Sequence, residues 1–530
     1  MSDCARADGI AVAKRSAGSV KWVRRIQCIC DNGPATRTML FNSLQFAIFF
    51  PIVSILYFVL PHRRRGAFLL AASSVFYMAF VPAYIAVLFV TILIDYVAGR
   101  RIERATGTTR RAWLVASIIS TCAVLFIFKY FDFFTETAAF AARTMGVTWA
   151  APALGLILPV GLSFHTFQSL SYVIEVHAGR QKAEHHFGKY ALYVMFYPQL
   201  VAGPIERPQN LLHQFDEPHR FDYDRVVAGL QLMAWGLVKK VVVADRLAQL
   251  VNQIYDAPSE YSGLPLLIGT VAFAFQIYCD FSGYSDIAIG AAQVMGFRLM
   301  RNFDRPYFSR SIAEFWRRWH ISLSTWFRDY LYIPLGGNRS GRARMLANLC
   351  ITFLVSGLWH GARWTFVIWG ALHACYLIGA LLTAGRRQQM RAGLHLDRHA
   401  TLLAIWQTSA TFVLVSVGWV FFRAHSVRDA MYVLTHMLPD VPAQVAAILH
   451  GERGAAAHAL LLDLAPSQVL LATLAVLALL LLEHQQRSGS LRARIHAAPI
   501  ALRWSAYSAA VLLIMTLGVF GSAKFIYFQF

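Results

Sequence analysis

Long apolar runs recur along almost the whole chain and constrain its fold more than any other feature. A bilayer requires about 20 consecutive, mostly apolar residues for each spanning helix. Runs near that length, some of them shorter, occur at 41–60, 67–80, 82–98, 113–131, 154–174, 226–244, 263–291, 346–360, 364–383, 402–422, 467–483 and 504–522. The sequence therefore predicts an all-α, polytopic membrane protein with about ten to twelve transmembrane or re-entrant helices.

The amino-acid composition agrees with this prediction. Of the 530 residues, 57% are hydrophobic and 15% are charged, whereas a soluble domain carries about 25% charged residues. No long polar linker divides the chain, so we predict one membrane domain over 39–530. No internal repeat is visible, which argues against a transporter built from two similar halves.

The net charge of +21 would point to a nucleic-acid partner in a soluble protein. Here the basic residues concentrate in short loops between apolar runs, where they set the orientation of the helices. We therefore predict no nucleic-acid partner. The outer side is predicted for the turn at 359–364, and the cytoplasm for the basic clusters at 62–65, 100–111, 339–344, 386–398 and 487–503.

Residues 1–38 form a basic tail with seven Lys or Arg, three Asp and little apolar periodicity. Because the first helix is predicted to enter from outside, this tail would have to be translocated. Met39 opens an apolar run that is a natural beginning for a membrane protein. We expect the tail to be disordered or to lie upstream of a true start at Met39.

The seven cysteines indicate neither a metal site nor a disulfide scaffold, since no paired C-x-x-C pattern occurs. A free thiol inside an apolar run behaves as a small hydrophobe. Four cysteines lie in such runs and three in the tail: Cys122, Cys279, Cys350 and Cys375, and Cys4, Cys28 and Cys30.

Polar residues inside the apolar runs need partners or a water-filled cavity, since a charge at the centre of a spanning helix costs about 2.5–3.5 kcal/mol. Within 158–177, polar residues recur at helical spacing and form one stripe: His165, Gln168, Ser169, Tyr172 and Glu175. Such a stripe either packs helices together through hydrogen bonds or lines a cavity.

Two further segments carry helix-breaking or acidic residues. The prolines of 196–208 forbid a continuous helix, which predicts either a re-entrant segment or a connecting loop. Asp280 and Asp286 are six residues apart and lie on different faces of a helix. We expect each to anchor packing or to pair with a basic residue, such as one within 301–318.

The densest group of charged and aromatic residues lies at 305–339. Ser311 and Glu314 have the spacing of a capping box, and the residues after them predict one amphipathic helix, in the membrane interface or buried in the protein. The sequence at 334–338 predicts the turn that ends it. One face would carry Trp316, His320, Leu323, Phe327 and Tyr330, and another Arg317, Ile321, Ser324 and Arg328.

His320 and His360 are the candidate reactive groups. His360 lies near the end of an apolar run, next to Gly361, which would let a backbone or a ligand approach. A neutral buried histidine can act as a general base on a hydroxyl that attacks an acyl thioester, or relay protons. A metal site is disfavoured, because no HExxH pattern occurs and His373 is thirteen residues away. An apolar pocket is predicted from Trp359, Trp364 and Trp369.

Several segments together resemble the membrane-bound O-acyltransferase family, in the bacterial branch that serves alginate O-acetylation and the D-alanylation of teichoic acid. Their order along 39–530 makes the resemblance specific, and the ending FIYFQF also looks typical. The segments are FYPQLVAGPIERP, YCDFSGYSDIAIG, FWRRWHISLSTWFRDYLYIPLGGNR and SGLWHGARWTFVIWGALHA.

The resemblance implies a helical bundle around a funnel or tunnel that thins the membrane. It implies that His360 is the catalytic residue and that His320 is the second one. It also implies a multi-pass protein of the bacterial inner membrane without a bound cofactor. Such a protein takes acetyl groups from acetyl-CoA or another cytoplasmic thioester and passes them, through periplasmic acetyltransferase partners, to an exopolysaccharide such as alginate.

Arg317 and Arg328 are candidate ligands for the phosphates of such a donor, and Trp359 is a candidate substrate contact. The arginines could equally anchor the cytoplasmic face. Two other functions compete with O-acetylation. One is D-alanyl transfer in teichoic acid modification, and the other is a transporter that moves a polymer or lipid without forming bonds and uses the acidic residues inside the runs.

Overall fold

The computed structural model describes residues 39–452, 454, 464–486, 497–520 and 525–526. The predicted tail at 1–38, with its three cysteines, lies outside these residues. Secondary structure in the described part of the chain is helical throughout, which confirms the all-α prediction.

The first half of the chain forms helices of very different length. In order they are α1 (Leu44–Val59), α2 (His62–Met78), α3 (Tyr84–Arg104), α4 (Gly107–Leu125), α5 (Phe131–Thr144), α6 (Leu162–His177), α7 (Phe187–Met195), α8 (Tyr197–Leu200) and α9 (Pro208–Leu211). A π-helical turn, Phe126–Tyr130, joins α4 to α5 without a loop, and a 3-10 turn, Leu212–Phe215, follows α9.

The second half contains the longest helix. Its helices are α10 (Tyr223–Leu237), α11 (Asp245–Asp256), α12 (Leu264–Met295), α13 (Ile312–Arg318), α14 (Ile321–Phe327), α15 (Arg342–His360), α16 (Trp364–Leu382), α17 (Ala384–Gly393), α18 (Ala400–Arg423), α19 (Val427–His436), α20 (Val441–Leu449), α21 (Pro466–Gln485) and α22 (Ile500–Leu517). Two π-helical turns occur in the described part of this half: Val238–Ala244 lies between α10 and α11, and Arg328–Tyr332 follows α14. The 3-10 turns are Pro258–Glu260, Pro306–Phe308 and Leu396–His399.

Each predicted apolar run overlaps one of these helices. Within the described residues, seven continuous helices are long and apolar enough to cross a membrane: α4 with α5, α10 with α11, α12, α16, α18, α21 and α22. The remaining runs lie on α1, α2, α3, α6 and α15, which are shorter or carry more polar residues. The described helices therefore agree with the predicted polytopic architecture.

Helix α12 lies at the centre of the bundle, and α22 lies at its edge. In the most apolar part of α12, 78% of the residues are buried, against none in α22. Helix α10 packs against α12 through glycines, because a Cβ on Gly236 would lie 2.5 Å from the carbonyl oxygen of Gly283. Gly229 and Gly290 repeat this close approach two turns away. Small residues allow such backbone contact between membrane helices.

The segment 305–339 is not the single amphipathic helix that the sequence predicted. The predicted cap is present, since Glu314 N donates to Ser311 Oγ at 3.1 Å. The helix nevertheless breaks between α13 and α14, where His320 adopts a left-handed conformation with φ of 42°. Tertiary hydrogen bonds hold the break: Ile321 N donates to Asn302 O at 2.9 Å. The face predicted from helical periodicity therefore does not exist as one surface.

The segment 196–208 is broken and fully buried. Helix α8 is one turn long, and the backbone after it is not helical as far as Arg207. The Tyr193 hydroxyl donates to Glu206 O at 2.9 Å, and Ile205 N donates to Ser322 Oγ at 3.1 Å. Broken backbone at membrane depth is tolerated where protein supplies such partners.

Asp280 and Asp286 do form ion pairs, but not with residues of 301–318. Lys240 Nζ lies 2.6 Å from Asp280 and 2.7 Å from Asp245, and Lys239 Nζ lies 2.5 Å from Asp286. Both lysines belong to the π-helical turn between α10 and α11. The sequence prediction was wrong about the partner because this turn packs directly against α12 in the folded chain.

Candidate functional site

His360 is the last residue of α15 and is 5% exposed. Its ring lies 5.0 Å from the rings of Trp359 and Trp369 and 5.3 Å from that of Phe422, measured between centroids. Two of the three predicted tryptophans thus form an aromatic pocket around it. Trp364 does not, because its side chain is 53% exposed.

Gly361 is needed for a different reason from the one predicted. A Cβ at this position would overlap the ring of Phe366. The close neighbour is therefore a side chain of α16, rather than a ligand or another backbone. Through this contact the end of α15 packs against the start of α16.

Lys129 and Tyr130 lie in the π-helical turn between α4 and α5 and form hydrogen bonds to the end of α15. Lys129 Nζ lies 2.5 Å from Trp359 O and 3.4 Å from His360 O, and the Tyr130 hydroxyl donates to Leu358 O at 3.0 Å. The last carbonyl groups of a helix have no partner within it. This contact was not predicted from the sequence, although a lone lysine inside the apolar run 113–131 was a signal.

His320 is fully buried at the break between α13 and α14. Its Nδ1 lies 3.0 Å from Asn302 Oδ1. The imidazole packs edge to face against Phe281, with 4.6 Å between ring centroids, and lies 6.3 Å from the Phe164 ring. Asn302 was not singled out from the sequence because no local spacing connects it to His320.

Trp359 lies between the two predicted histidines. Its ring centroid is 5.0 Å from that of His360 and 6.3 Å from that of His320. Phe164 packs on both Trp359 and His320. The structure therefore brings His320, His360 and Trp359 into one buried aromatic pocket, although 40 residues separate the two histidines in the sequence.

A third buried histidine, His373, lies beyond Trp369. The Trp369 ring is 4.9 Å from His373 and 5.0 Å from His360. The indole N–H of Trp316 donates to His373 Nδ1 at 3.3 Å. From the sequence, His373 was only a distant candidate metal ligand, whereas in the structure it packs against the same tryptophan as His360.

Arg317 and Arg328 are exposed at the protein surface rather than in this pocket. Arg328 lies in the π-helical turn after α14 and pairs with Asp329 at 2.8 Å. The structure therefore does not bring the two predicted donor ligands together with the histidines.

The polar stripe of α6 packs helices together. His165 Nε2 is hydrogen-bonded to the Thr91 hydroxyl of α3 at 3.1 Å, and the Tyr172 hydroxyl accepts from Glu184 N at 2.8 Å. Glu175 accepts from Gln209 Nε2 of α9 at 2.6 Å and from Arg180 at 2.6 Å. These contacts agree with the first of the two alternatives drawn from the sequence, a stripe that hydrogen-bonds helices to one another.

Known proteins are similar to this chain over most of its length. A family model described as MBOAT, membrane-bound O-acyltransferase family, matches residues 180–402. The probable alginate O-acetylase AlgI of Pseudomonas aeruginosa is 39% identical over 396 residues, which cover 74% of this chain and 73% of that protein. The chain belongs to the membrane-bound O-acyltransferase family.

The names of other relatives state a different acceptor or a different transferred group. The peptidoglycan O-acetyltransferase of Helicobacter pylori is 33% identical over 437 residues, covering 76% of this chain and 80% of that protein. The teichoic acid D-alanyltransferase of Bacillus subtilis is 28% identical over 240 residues, covering 42% of this chain and 60% of that protein.

Membership in the family makes the chain a multi-pass membrane protein and an acyltransferase. An acyltransferase has to remove a proton from an acceptor and to keep water away from the acyl group. The two imidazoles next to Trp359 are buried among aromatic rings, and a neutral imidazole in such surroundings can accept a proton away from water.

Proposed function

We propose that this protein takes acetyl groups from a cytoplasmic thioester and passes them across the bacterial inner membrane for the O-acetylation of an exopolysaccharide such as alginate. Acetyl-CoA or another acyl thioester is the donor, and no bound cofactor takes part. Relatives named for O-acetyl transfer to alginate or to peptidoglycan match about three quarters of the chain and support this proposal.

The observation that carries the proposal is the burial of His320 and His360 on either side of Trp359. His360 takes the proton of an acceptor hydroxyl while that oxygen attacks the thioester carbonyl carbon. A C–O bond forms, the C–S bond breaks, and the proton passes from His360 to the departing thiolate. Trp359 contacts the acyl group, and the aromatic walls exclude the water that would hydrolyse it.

Arg317 and Arg328 bind the phosphates of the donor at the protein surface, before the acyl group enters the pocket. A guanidinium group is suited to phosphate because it offers several N–H donors in a fixed plane. The exposure of both side chains supports this role. When the donor binds, its phosphate would replace the Asp329 carboxylate as the ion-pair partner of Arg328.

On the outer side, the acetyl group goes to periplasmic acetyltransferase partners and then to the polysaccharide. D-alanyl transfer is the alternative within the family. The D-alanyltransferase of Bacillus subtilis matches 42% of this chain, against 74% for the alginate O-acetylase. A transporter is disfavoured, since the acidic residues that it would use form internal pairs with Lys239, Lys240 and Arg180.

The test is the O-acetyl content of the secreted polysaccharide and of peptidoglycan, by NMR, in a knockout strain. The strain is complemented with wild type, His360→Ala, or His213→Ala, an exposed histidine, as the matched control. We expect wild type and the control to restore acetyl groups on the secreted polymer and His360→Ala to fail at equal polymer yield. Acetylation by His360→Ala, or loss of the polymer itself in the knockout, would contradict the proposal.

A further inference from the structure

Asn302 sits at the centre of a buried hydrogen-bond network beside His320. It is 1% exposed. Its Oδ1 lies 3.0 Å from His320 Nδ1 and accepts from Ser322 Oγ at 2.9 Å and from Ser322 N at 3.3 Å. Its Nδ2 donates to Ser285 Oγ at 3.2 Å. Every polar atom of this side chain is thus used.

The backbone N–H of Ser322 determines which end of the Asn302 amide faces His320. A backbone N–H can only donate, so the amide atom opposite it must be the oxygen. The Ser322 hydroxyl agrees with this orientation. It accepts from Ile205 N at 3.1 Å, which leaves its own hydrogen to point at Asn302 Oδ1.

An oxygen at this position decides the tautomer of His320. Asn302 Oδ1 can only accept, so Nδ1 of His320 has to be the donor. In a neutral imidazole the other nitrogen then carries the lone pair. We propose that Asn302 is a positioning residue that holds His320 in the Nδ1–H tautomer, so that the lone pair of Nε2 is available to accept a hydrogen bond from the substrates during acyl transfer.

The surroundings of Nε2 support this assignment. Nε2 is buried and has no hydrogen-bond partner in the part of the chain that the structure describes. A buried nitrogen without a partner is costly in a resting fold. Aromatic rings of Phe281, Phe164 and Trp359 surround the imidazole. The lone pair is therefore buried among aromatic rings, and one of them, Trp359, also packs against His360.

The backbone keeps this arrangement in place. His320 has a positive φ of 42°, a conformation that costs a residue other than glycine some stability. Asn302 also accepts from Ile321 N through its main-chain oxygen, and Asp304 N donates to Arg318 O at 2.9 Å. These main-chain bonds fix the segment that carries Asn302 against the break that carries His320.

The inference rests on the proposed acyl transfer, so its test has one readout that does not depend on activity. Solid-state NMR of the full chain labelled with ¹⁵N-histidine distinguishes the two neutral tautomers. The His320 signals are assigned from the difference between wild type and His320→Gln. We expect a protonated Nδ1 and an unprotonated Nε2, and the opposite tautomer in wild type would overturn the proposal.

The second readout is the rate of polysaccharide O-acetylation at matched protein abundance. Asn302→Leu removes the acceptor, and we expect a loss of about 100-fold, the usual effect of displacing a group in an active site by about 1 Å. Asn302→Asp keeps an acceptor oxygen at Nδ1 and should retain most of the rate. Ser285→Ala removes only the partner of Asn302 Nδ2 and serves as the matched control. Equal losses in Asn302→Leu and Asn302→Asp, or full activity in Asn302→Leu, would overturn the positioning role.

The two proposals fail in different ways. If His360→Ala and His320→Gln both acetylate normally, the proposed catalytic function is wrong, whatever the NMR spectrum shows. If His360→Ala is inactive while wild-type His320 carries its proton on Nε2, acyl transfer stands and the role of Asn302 is wrong.

Discussion

The side-chain nitrogen of Lys129 lies 2.5 Å from the main-chain oxygen of Trp359, at the end of the helix that carries His360. The oxygen partners of Lys129 in the described residues are Trp359 O, His360 O and Ser163 Oγ, none of them a carboxylate. The contact joins the helix α4–α5 to the candidate catalytic turn.

Replacing Lys129 with Met should therefore displace His360. We expect the rate of O-acetylation to fall by about 100-fold, because a shift of about 1 Å in a catalytic group has an effect of this size. The measurement is polysaccharide O-acetyl content over time at equal protein abundance. Tyr130→Phe is the matched control, since it removes one hydrogen bond to the neighbouring Leu358 O. If both variants lose activity equally, Lys129 has no specific role.

Lys240→Met should destabilise the fold by about 3–5 kcal/mol, because it leaves buried Asp245 and Asp280 without their shared cation. Thermal unfolding of the purified protein in detergent measures this effect. Adding Asp245→Asn and Asp280→Asn to the variant should recover part of the loss. A single variant as stable as wild type would show that the buried ion pairs are not needed.

Gly236→Ala should destabilise the contact between α10 and α12 by about 1–3 kcal/mol, the usual effect of overpacking. The added Cβ would meet the carbonyl oxygen of Gly283, which belongs to a rigid backbone. Gly379→Ala is the control, because a Cβ there meets no atom within 4 Å. We expect a lower thermal unfolding midpoint for Gly236→Ala than for Gly379→Ala, and equal midpoints would contradict the prediction.

His219, in the loop before α10, should make stability depend on pH. Burial lowers the pKa of His219 below its usual value of 6.5, although the hydrogen bond to Gln214 O opposes this. The folded protein therefore binds a proton at this side chain less readily than the unfolded chain, which binds one below about pH 6.5. Its contribution to stability is complete above that pH and is lost as the pH falls further. His219→Gln should make the thermal unfolding midpoint depend less on pH between pH 7 and 5, about the range of histidine titration. An unchanged dependence of the midpoint on pH would contradict this.

The positions of the helices could be predicted from the sequence because hydrophobic burial and backbone hydrogen bonding act locally along each run. The runs around α12 and α16, for example, were placed within a few residues. The capping box at Ser311 and Glu314 was also predicted, since its partners are three residues apart. His360 could be selected because polar residues are rare in such runs, and His320 because it lies in one of the segments that carry the family resemblance.

Only the tertiary structure decided which partners these residues have. Asn302 meets His320, Lys129 meets the end of α15, and Lys240 meets Asp280 across distances that no local spacing encodes. The break at His320 likewise depends on the neighbouring segment, because main-chain groups of that segment form the hydrogen bonds that the helix loses at the break. The sequence by itself determined most of the helices, because apolar periodicity is a property of a segment, and it marked the two candidate histidines through the motifs that contain them. Their meeting at Trp359, and the groups that orient them, follow from the packing of segments far apart in the chain.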